Sequence, residues 1–314
     1  MKKLLLLNLM VILVILSACQ QQDADMVDAT VAVEPTGEIA PLDEGDPVEE
    51  NGAPMEEAAV EPTPLPVEPL AFRFVTNDGA TIDGDFYPPA YPNAPVVILM
   101  HQYPMDHNIE WIAIAPWLQN RDMAASVRSG GEPWTDPSWF SPMNEGFDFA
   151  VFTFTFRNCL GGCKEDSVES REEWINDASA AIEAVASFRF VDPSRILVVG
   201  TSIGADAAVN ACERMLEIEG INCSGVVSIS PGSYLEQDFA SSVESLTQAG
   251  IPVRCVASEG DALSAQTCQD VEGTGYQAVI ADGNEHGVRL FDPSLNIDLS
   301  ALLKGWLIEW AYIY

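Results

Sequence analysis

The pentapeptide Gly200-Thr201-Ser202-Ile203-Gly204 contains a serine whose surroundings could make it a nucleophile. It directly follows an apolar run at residues 195–199 and opens a helical pattern. A Gly-x-Ser-x-Gly in that context predicts a sharp strand-to-helix turn that exposes the serine hydroxyl. The free amides and the dipole at the start of the helix would stabilise negative charge on a substrate. The pattern therefore predicts that Ser202 attacks a carbonyl group.

A serine hydroxyl is a poor nucleophile until a base removes its proton, and histidine is the usual base. The chain has three histidines, His101, His107 and His286. His101 directly follows the apolar run 96–100, and we interpret it as a brace for the loop that begins there. His107 is interpreted as the first residue of a helix, with no catalytic role. His286 follows the apolar run 277–280 in a polar loop and is the candidate base.

Short apolar runs alternate with helical patterns along most of the chain, which favours an α/β fold with a mostly parallel sheet and helices on both faces. A turn signal at residues 77–79 predicts a hairpin between the first two strands. The predicted strands are 72–75, 81–87, 96–100, 149–156, 196–199, 225–229, 251–257 and 276–280. The predicted helices are 109–118, 172–188, 203–218, 241–249 and 299–312.

One stretch, 121–148, does not fit the alternation and predicts a long loop or lid. Its aromatic side chains Trp134, Trp139 and Phe140, together with Tyr103, would either line a substrate pocket or pack beneath the loop.

These motifs together resemble the α/β-hydrolase superfamily, and within it the dienelactone-hydrolase-like esterases. The resemblance spans about residues 96–310. It rests on Val96-Val97-Ile98-Leu99-Met100-His101-Gln102, the serine pentapeptide, Ser230-Pro231-Gly232, Ala257-Ser258-Glu259-Gly260-Asp261 and Glu285-His286-Gly287. Dienelactone hydrolase itself has a cysteine nucleophile, and a serine at this position favours ordinary carboxylic esters.

The resemblance implies the chain order nucleophile, acid, base, and His286 is the one histidine after Ser202. Asp261 matches the acid loop of the family and would orient His286. Glu259, two residues nearer the predicted strand, and Asp282 remain alternatives for the acid. Asp206 is close to Ser202 in sequence, but we interpret it as a solvated or capping residue on the helix.

The resemblance also implies an oxyanion hole made of two backbone amides. One is the amide of Ile203, which follows the nucleophile. The other comes from the loop after Met100, where the family usually has His-Gly and this chain has His101-Gln102. We expect the Gln102 N–H to be the second donor, with the Gln102 side chain lying over the acyl site.

Residues 1–18 have the pattern of an export signal. Lys2 and Lys3 precede an apolar run at 4–16 that is too short for a comfortable membrane span. The segment ends in Leu16-Ser17-Ala18-Cys19, which resembles the lipobox of bacterial lipoproteins. That resemblance implies cleavage before Cys19 and lipid attachment to its thiol. A plain signal peptide or an uncleaved anchor is the alternative.

Residues 19–70 are predicted to be a disordered, acidic, proline-rich tether. Residues 20–70 include 14 acidic side chains, eight prolines and no Lys or Arg. Such a segment cannot bury enough apolar surface to offset its ordering entropy. An acidic binding tail is the alternative. The whole chain has a formal net charge of −34, which argues against nucleic acid as a partner.

Six cysteines follow Cys19, and an even number in an exported protein favours disulfides. We expect sequence neighbours to pair: Cys159 with Cys163, Cys212 with Cys223, and Cys255 with Cys268. A zinc site at Cys159 and Cys163 is disfavoured because no second close pair of ligands accompanies it.

The sequence thus predicts a hydrolase domain at 71–314, tethered to a membrane outside the cytoplasm and cleaving small-molecule esters through an acyl-enzyme. No cofactor or metal is expected. The same fold could instead serve a thioesterase, an amidase or a peptidase, or a non-catalytic binding protein at the cell surface. The acyl chain, the leaving group and the oligomeric state stay open at this stage.

Overall fold

The computed structural model describes residues 68–121, 131–163, 171–235 and 237–313. These residues belong to one of the two compact units into which the chain divides, Glu61–Tyr314. The predicted signal segment, Cys19 and nearly all of the predicted tether lie outside the described residues. No helix among those described is long and apolar enough to cross a membrane.

An eight-stranded sheet with the order β1-β2-β4-β3-β5-β6-β7-β8 forms the centre of the described region. The antiparallel pairs are β1 with β2 and β2 with β4, and all other neighbours are parallel. The strands are β1 Leu70–Val75, β2 Thr81–Tyr87, β3 Ala94–Met100, β4 Ala150–Phe154, β5 Val191–Thr201, β6 Cys223–Ile229, β7 Val253–Ser258 and β8 Tyr276–Ala281. The predicted α/β class and mostly parallel sheet are confirmed.

Seven α-helices are described around this sheet. They are α1 His107–Glu110, α2 Ile114–Leu118, α3 Arg171–Ala186, α4 Ile203–Met215, α5 Phe239–Gln248, α6 Ala262–Gln269 and α7 Leu299–Ile308. The prediction of a single helix at 109–118 is wrong, because the chain turns at Trp111 and forms the two helices α1 and α2.

The sheet is buried on both faces, which explains why its central strands are continuous apolar runs. Every residue of β3 is buried, and alternate side chains enter different clusters. Val96 and Ile98 pack with residues of α3 and α4, whereas Val97 and Leu99 pack with residues of α2 and α7. Helices therefore cover both faces, and the carboxyl ends of the parallel strands meet at one edge.

The described part of the predicted long loop, 131–148, contains two short 3₁₀ turns, Pro133–Thr135 and Pro137–Trp139. Trp134 is fully buried, and the Phe140 ring contacts the rings of Trp117 and Phe291 at centroid distances of 5.3 and 5.6 Å. This segment packs against the α2 and α7 face of the sheet.

Candidate active site

Ser202 occupies a strained turn between β5 and α4. Its backbone has φ 52° and ψ −116°, a conformation that residues other than glycine rarely adopt. Its N–H donates to the carbonyl of Ile229 at 2.8 Å, which ties the turn to the end of β6. At Gly204 a Cβ would lie 2.2 Å from the carbonyl oxygen of Met100, so only glycine lets α4 approach β3 this closely.

Asp261 and His286 are brought together from the connections after β7 and β8. Asp261 Oδ2 lies 2.6 Å from Nδ1 of His286. A carboxylate at this position accepts a proton from Nδ1 and leaves Nε2 free to accept one. Glu259 and Asp282, the alternative acids, are exposed, and neither contacts the His286 ring among the described contacts.

The connection after β7 carries Asp261 and is called the acid loop here, and the connection after β8 carries His286 and is called the base loop. The two loops are joined by backbone hydrogen bonds. The N–H of Glu259 donates to Ala281 at 2.9 Å, and the N–H of Gly260 donates to Gly283 at 2.7 Å. Ser258 Oγ donates to the carbonyl of Glu285 at 2.5 Å. The two loops therefore hold one another in register, which fixes the distance between Asp261 and His286.

The base loop is also tied to the neighbourhood of Ser202. Ile229 accepts the hydrogen bond of the Ser202 amide, and Ser230 is the next residue. The Oγ atom of Ser230 accepts from the N–H of Gly287 at 2.9 Å. No hydrogen bond between Ser202 Oγ and His286 is present among the described residues. Such bonds often tighten only when a substrate is bound.

The amides of Gln102 and Tyr103, both in the loop after β3, differ in their hydrogen bonding. The N–H of Gln102 donates to Glu110 Oε2 at 2.7 Å, and the Gln102 side chain accepts from the N–H of Val288 at 3.3 Å. Because this amide already has an acceptor, the prediction that it forms the oxyanion hole is not supported. The next amide, that of Tyr103, has no hydrogen-bond partner among the described residues, and neither does the amide of Ile203.

A cavity of about 240 Å³ adjoins Ser202. Its described lining consists of Tyr103, Arg171, Trp174, Ser202, Ile203 and Tyr234. The phenol of Tyr234 interacts with the Ser202 side chain, and burial raises the pKa of that phenol. Of the four aromatic residues expected either to line a pocket or to pack, Tyr103 lines this cavity. Trp134, Trp139 and Phe140 pack away from it.

Similar folds occur in solved hydrolase structures. The esterase Pf2001 of Pyrococcus furiosus matches with a TM-score of 0.52 at 16% identity, over 78% of this chain and 92% of that one. GrgF from Penicillium sp. sh18, described as an α/β hydrolase, matches with a TM-score of 0.51 at 12% identity, over 79% of this chain and 100% of that one. A 2,6-dihydroxy-pseudo-oxynicotine hydrolase matches with a TM-score of 0.51 at 12% identity, over 79% of this chain and 69% of that one. This chain has the α/β-hydrolase fold. No family profile and no curated protein matches it.

Asp206 lies on α4, one turn after Ser202, and binds a neighbouring loop. It is fully buried, so the interpretation that it is solvated is wrong. Its carboxylate accepts from the N–H of Gly232 at 3.2 Å and from the N–H of Tyr234. Burial raises the pKa of Asp206 to about 7, against the opposing effect of these amides. Asp206 therefore holds the loop that carries Tyr234.

Among the described contacts, the other two histidines do not touch Ser202, Asp261 or His286. His101 Nε2 accepts from the N–H of Phe156 at 3.0 Å, and its Nδ1 lies 3.0 Å from the carbonyl of Gln102. Burial lowers the pKa of His101 to about 4, so this histidine is a neutral brace. His107 Nδ1 lies 2.5 Å from Thr155 Oγ1.

Sequence reasoning missed Glu110, which is fully buried and hydrogen-bonds with Thr201, the residue before Ser202. Its only sequence signal was a charged residue inside an otherwise apolar helical pattern at residues 109–118.

Proposed function

We propose that this chain is a serine hydrolase that cleaves carboxylic esters through an acyl-enzyme. The observation that carries the proposal is the hydrogen bond between Asp261 and His286, in a base loop tied to the strand beside Ser202. The three side chains come from three different strand-to-helix connections at one edge of the sheet. Such a convergence serves catalysis far better than it serves stability, since Ser202 keeps a strained backbone to take part in it.

In the proposed reaction, Ser202 Oγ attacks the ester carbonyl carbon and His286 Nε2 takes the hydroxyl proton. Asp261 keeps the proton on Nδ1 and stabilises the imidazolium that forms. Collapse of the tetrahedral intermediate expels the alcohol, which receives the proton from His286. Water then attacks the acyl-enzyme by the same route and releases the acid and free Ser202.

The oxyanion hole is proposed to consist of the Ile203 and Tyr103 amides. Ile203 is the first residue of α4, so its N–H has no acceptor within the helix. Tyr103 and Ile203 line the same cavity as Ser202. Preorganised amides of this kind stabilise charge that develops in the transition state, and each is typically worth about 10²–10³ in kcat.

Turnover of p-nitrophenyl acetate by the purified chain and by its Ser202→Ala variant tests this proposal. Because the members of a triad act as a unit, we expect Ser202→Ala to lose about 10⁴-fold or more of kcat while its circular dichroism is unchanged. A fluorophosphonate should label the wild type and leave the variant unlabelled. Wild-type turnover in Ser202→Ala would contradict the proposal. An inert, unlabelled wild type would instead support a binding protein on a hydrolase scaffold.

A second set of substrates distinguishes ester hydrolysis from thioester and amide hydrolysis. A p-nitrophenyl ester of long chain, a thioester and a p-nitroanilide present the same carbonyl attack with different acyl and leaving groups. Ester turnover well above anilide turnover is expected.

We further propose that the enzyme acts outside the cytoplasm. Three disulfides join Cys159 to Cys163, Cys212 to Cys223 and Cys255 to Cys268, the pairs expected from the sequence. Disulfides persist mainly in oxidising compartments, which supports export.

A further inference from the structure

Glu110 is a buried acid that links the two peptide segments bearing the proposed oxyanion amides. It is the last residue of α1 and is fully buried. Oε2 accepts from the N–H of Gln102 at 2.7 Å, and Oε1 hydrogen-bonds with Thr201 Oγ1. Gln102 precedes Tyr103 and Thr201 precedes Ser202, so one carboxyl group holds both segments.

The burial and the contacts of Glu110 are compatible with a protonated carboxyl group. No cation pairs with Glu110 within the described part of the chain. Burial raises the pKa of Glu110 to about 8, opposed by its bonds to Thr201 and Gln102. Thr201 Oγ1 donates to Oε1 in the structure; a protonated Oε1 would instead donate to Thr201 Oγ1, whose own hydrogen would turn to the carbonyl of Met100, 3.5 Å away. The carboxyl oxygens of Glu110 and the Thr201 hydroxyl would then each have a hydrogen-bond partner, with no charge buried at this position.

We propose that Glu110 is a positioning residue that, as the neutral acid, aligns both halves of the oxyanion hole, and that its ionisation at alkaline pH switches the hole off. This inference rests on the proposed function. An ionised Glu110 would place an unpaired negative charge near the point where the substrate oxyanion develops. In a site that excludes water, that repulsion acts against transition-state stabilisation.

Other titratable groups lie on segments near Glu110 in the chain or in the site, and their effects must be distinguished from that of Glu110. Those on the packed and neighbouring segments are His101, Asp106, His107, Asp206, Asp261 and His286. All of them are retained when Glu110 is replaced by Gln. The amide can accept from Gln102 and donate to Thr201, as the protonated acid does, but it cannot ionise. The difference between wild type and Glu110→Gln therefore reports Glu110 alone.

The test is the pH profile of p-nitrophenyl acetate hydrolysis by the full chain, Glu110→Gln and Glu110→Ala. We expect wild-type kcat/KM to fall above a pH of about 8, and the fall to move to higher pH in Glu110→Gln. At pH 7 Glu110→Gln should retain kcat. Glu110→Ala should lose roughly tenfold or more of kcat with little change in KM, because an oxyanion donor is misaligned. An unshifted alkaline limb in Glu110→Gln, or wild-type kcat in Glu110→Ala, would overturn the proposal.

A stability measurement gives a readout that does not depend on turnover. Folding raises the pKa of Glu110 from 4.5 to about 8, so the folded state binds this proton more tightly than the unfolded state. The associated stability is present below pH 4.5 and is lost as pH rises to about 8. We expect a smaller decline of Tm across that window in Glu110→Gln. An equal decline in both proteins would mean that Glu110 is not held protonated, which overturns the inference.

Asp148→Asn is the matched control for these experiments. Asp148 is also buried, burial raises its pKa, and its carboxylate accepts from the N–H of Ala90, away from the site. This variant should alter Tm and leave the alkaline limb of activity unchanged. If Glu110→Ala does not fold, the Glu110→Gln profile decides by itself. If the wild type turns over no ester, the proposed function fails, and the Tm comparison still tests the proton on Glu110.

Discussion

Gln102 and Tyr103 are adjacent in the loop after β3, yet their amides have different surroundings. The Gln102 amide is bound to Glu110, whereas the Tyr103 residue lines the cavity beside Ser202. A one-residue difference of this kind depends on the local backbone direction. The acceptor of the Gln102 amide, Glu110, comes from the next helix, so the loop sequence alone does not show which amide is left without a partner.

Asp261 and Glu259 allow a sharp test at the level of single residues. Asp261→Asn should lower kcat for p-nitrophenyl acetate by about 10⁴-fold, because an amide favours the wrong tautomer of His286. Glu259→Gln makes the same chemical change two residues away, at an exposed side chain, and should leave kcat unaltered. Steady-state kinetics of the two purified variants make the comparison. A large loss in Glu259→Gln with little loss in Asp261→Asn would reverse the assignment of the acid.

The connections between strands and helices decide how firmly the site is held. Cys255 on β7 is bonded to Cys268 on α6, and Asp261 lies between them. Main-chain hydrogen bonds then attach the acid loop to the base loop through Glu259 and Gly260. The disulfide thus closes the segment that carries Asp261.

Removing this disulfide should therefore affect both stability and turnover. The double variant Cys255→Ala/Cys268→Ala is expected to lose up to about 3 kcal/mol of the free energy of unfolding in the chain-entropy model. Its kcat should fall at temperatures well below the melting transition, because the acid drifts from His286. Thermal unfolding and kinetics of the same samples measure the two effects.

Cys212→Ala/Cys223→Ala is the matched control, since that bond closes a similar sequence separation, 11 residues against 13. It joins α4 to the beginning of β6, away from Asp261. A comparable loss of Tm with a smaller loss of kcat is expected. Equal effects on kcat in both double variants would show that the acid loop is held by packing alone.

At the scale of the whole molecule, the acidic N-terminal stretch and the domain with the α/β-hydrolase fold have different compositions. Residues 20–70 carry 14 acidic side chains without a Lys or Arg, whereas the domain alternates apolar strands with helices. The proposed lipid anchor at Cys19 precedes this stretch and lies outside the described residues. It would tether the domain to a membrane through an extended, self-repelling linker.

The anchor predicts how the whole protein partitions between phases. Wild-type protein from an export-competent bacterial host should enter the detergent phase, and Cys19→Ala should remain in the aqueous phase. A single acyl chain binds membranes only marginally, so the stable tether depends on the several chains that the lipobox resemblance implies. Incorporation of labelled palmitate provides the second measurement. Wild-type protein that stays aqueous and unlabelled would refute the anchor.

The order of strands and helices followed from the sequence because burial on both faces of a parallel sheet demands continuous apolar runs. The turn at Ser202 was recognisable for a similar reason. Gly204 is required there because a side chain would collide with the backbone of β3, and such a requirement is visible in the local sequence as a glycine.

Tertiary structure alone decided which polar groups meet. Asp261 was favoured over Glu259 by resemblance, but its contact with His286 requires the ends of β7 and β8 to be adjacent. The roles of Asp206 and Glu110 depend on burial against loops distant in sequence. Periodicity reports whether a side chain is buried and in which element it lies. A hydrogen bond depends on the positions of two atoms to within a fraction of an ångström, and only the packed molecule determines those positions.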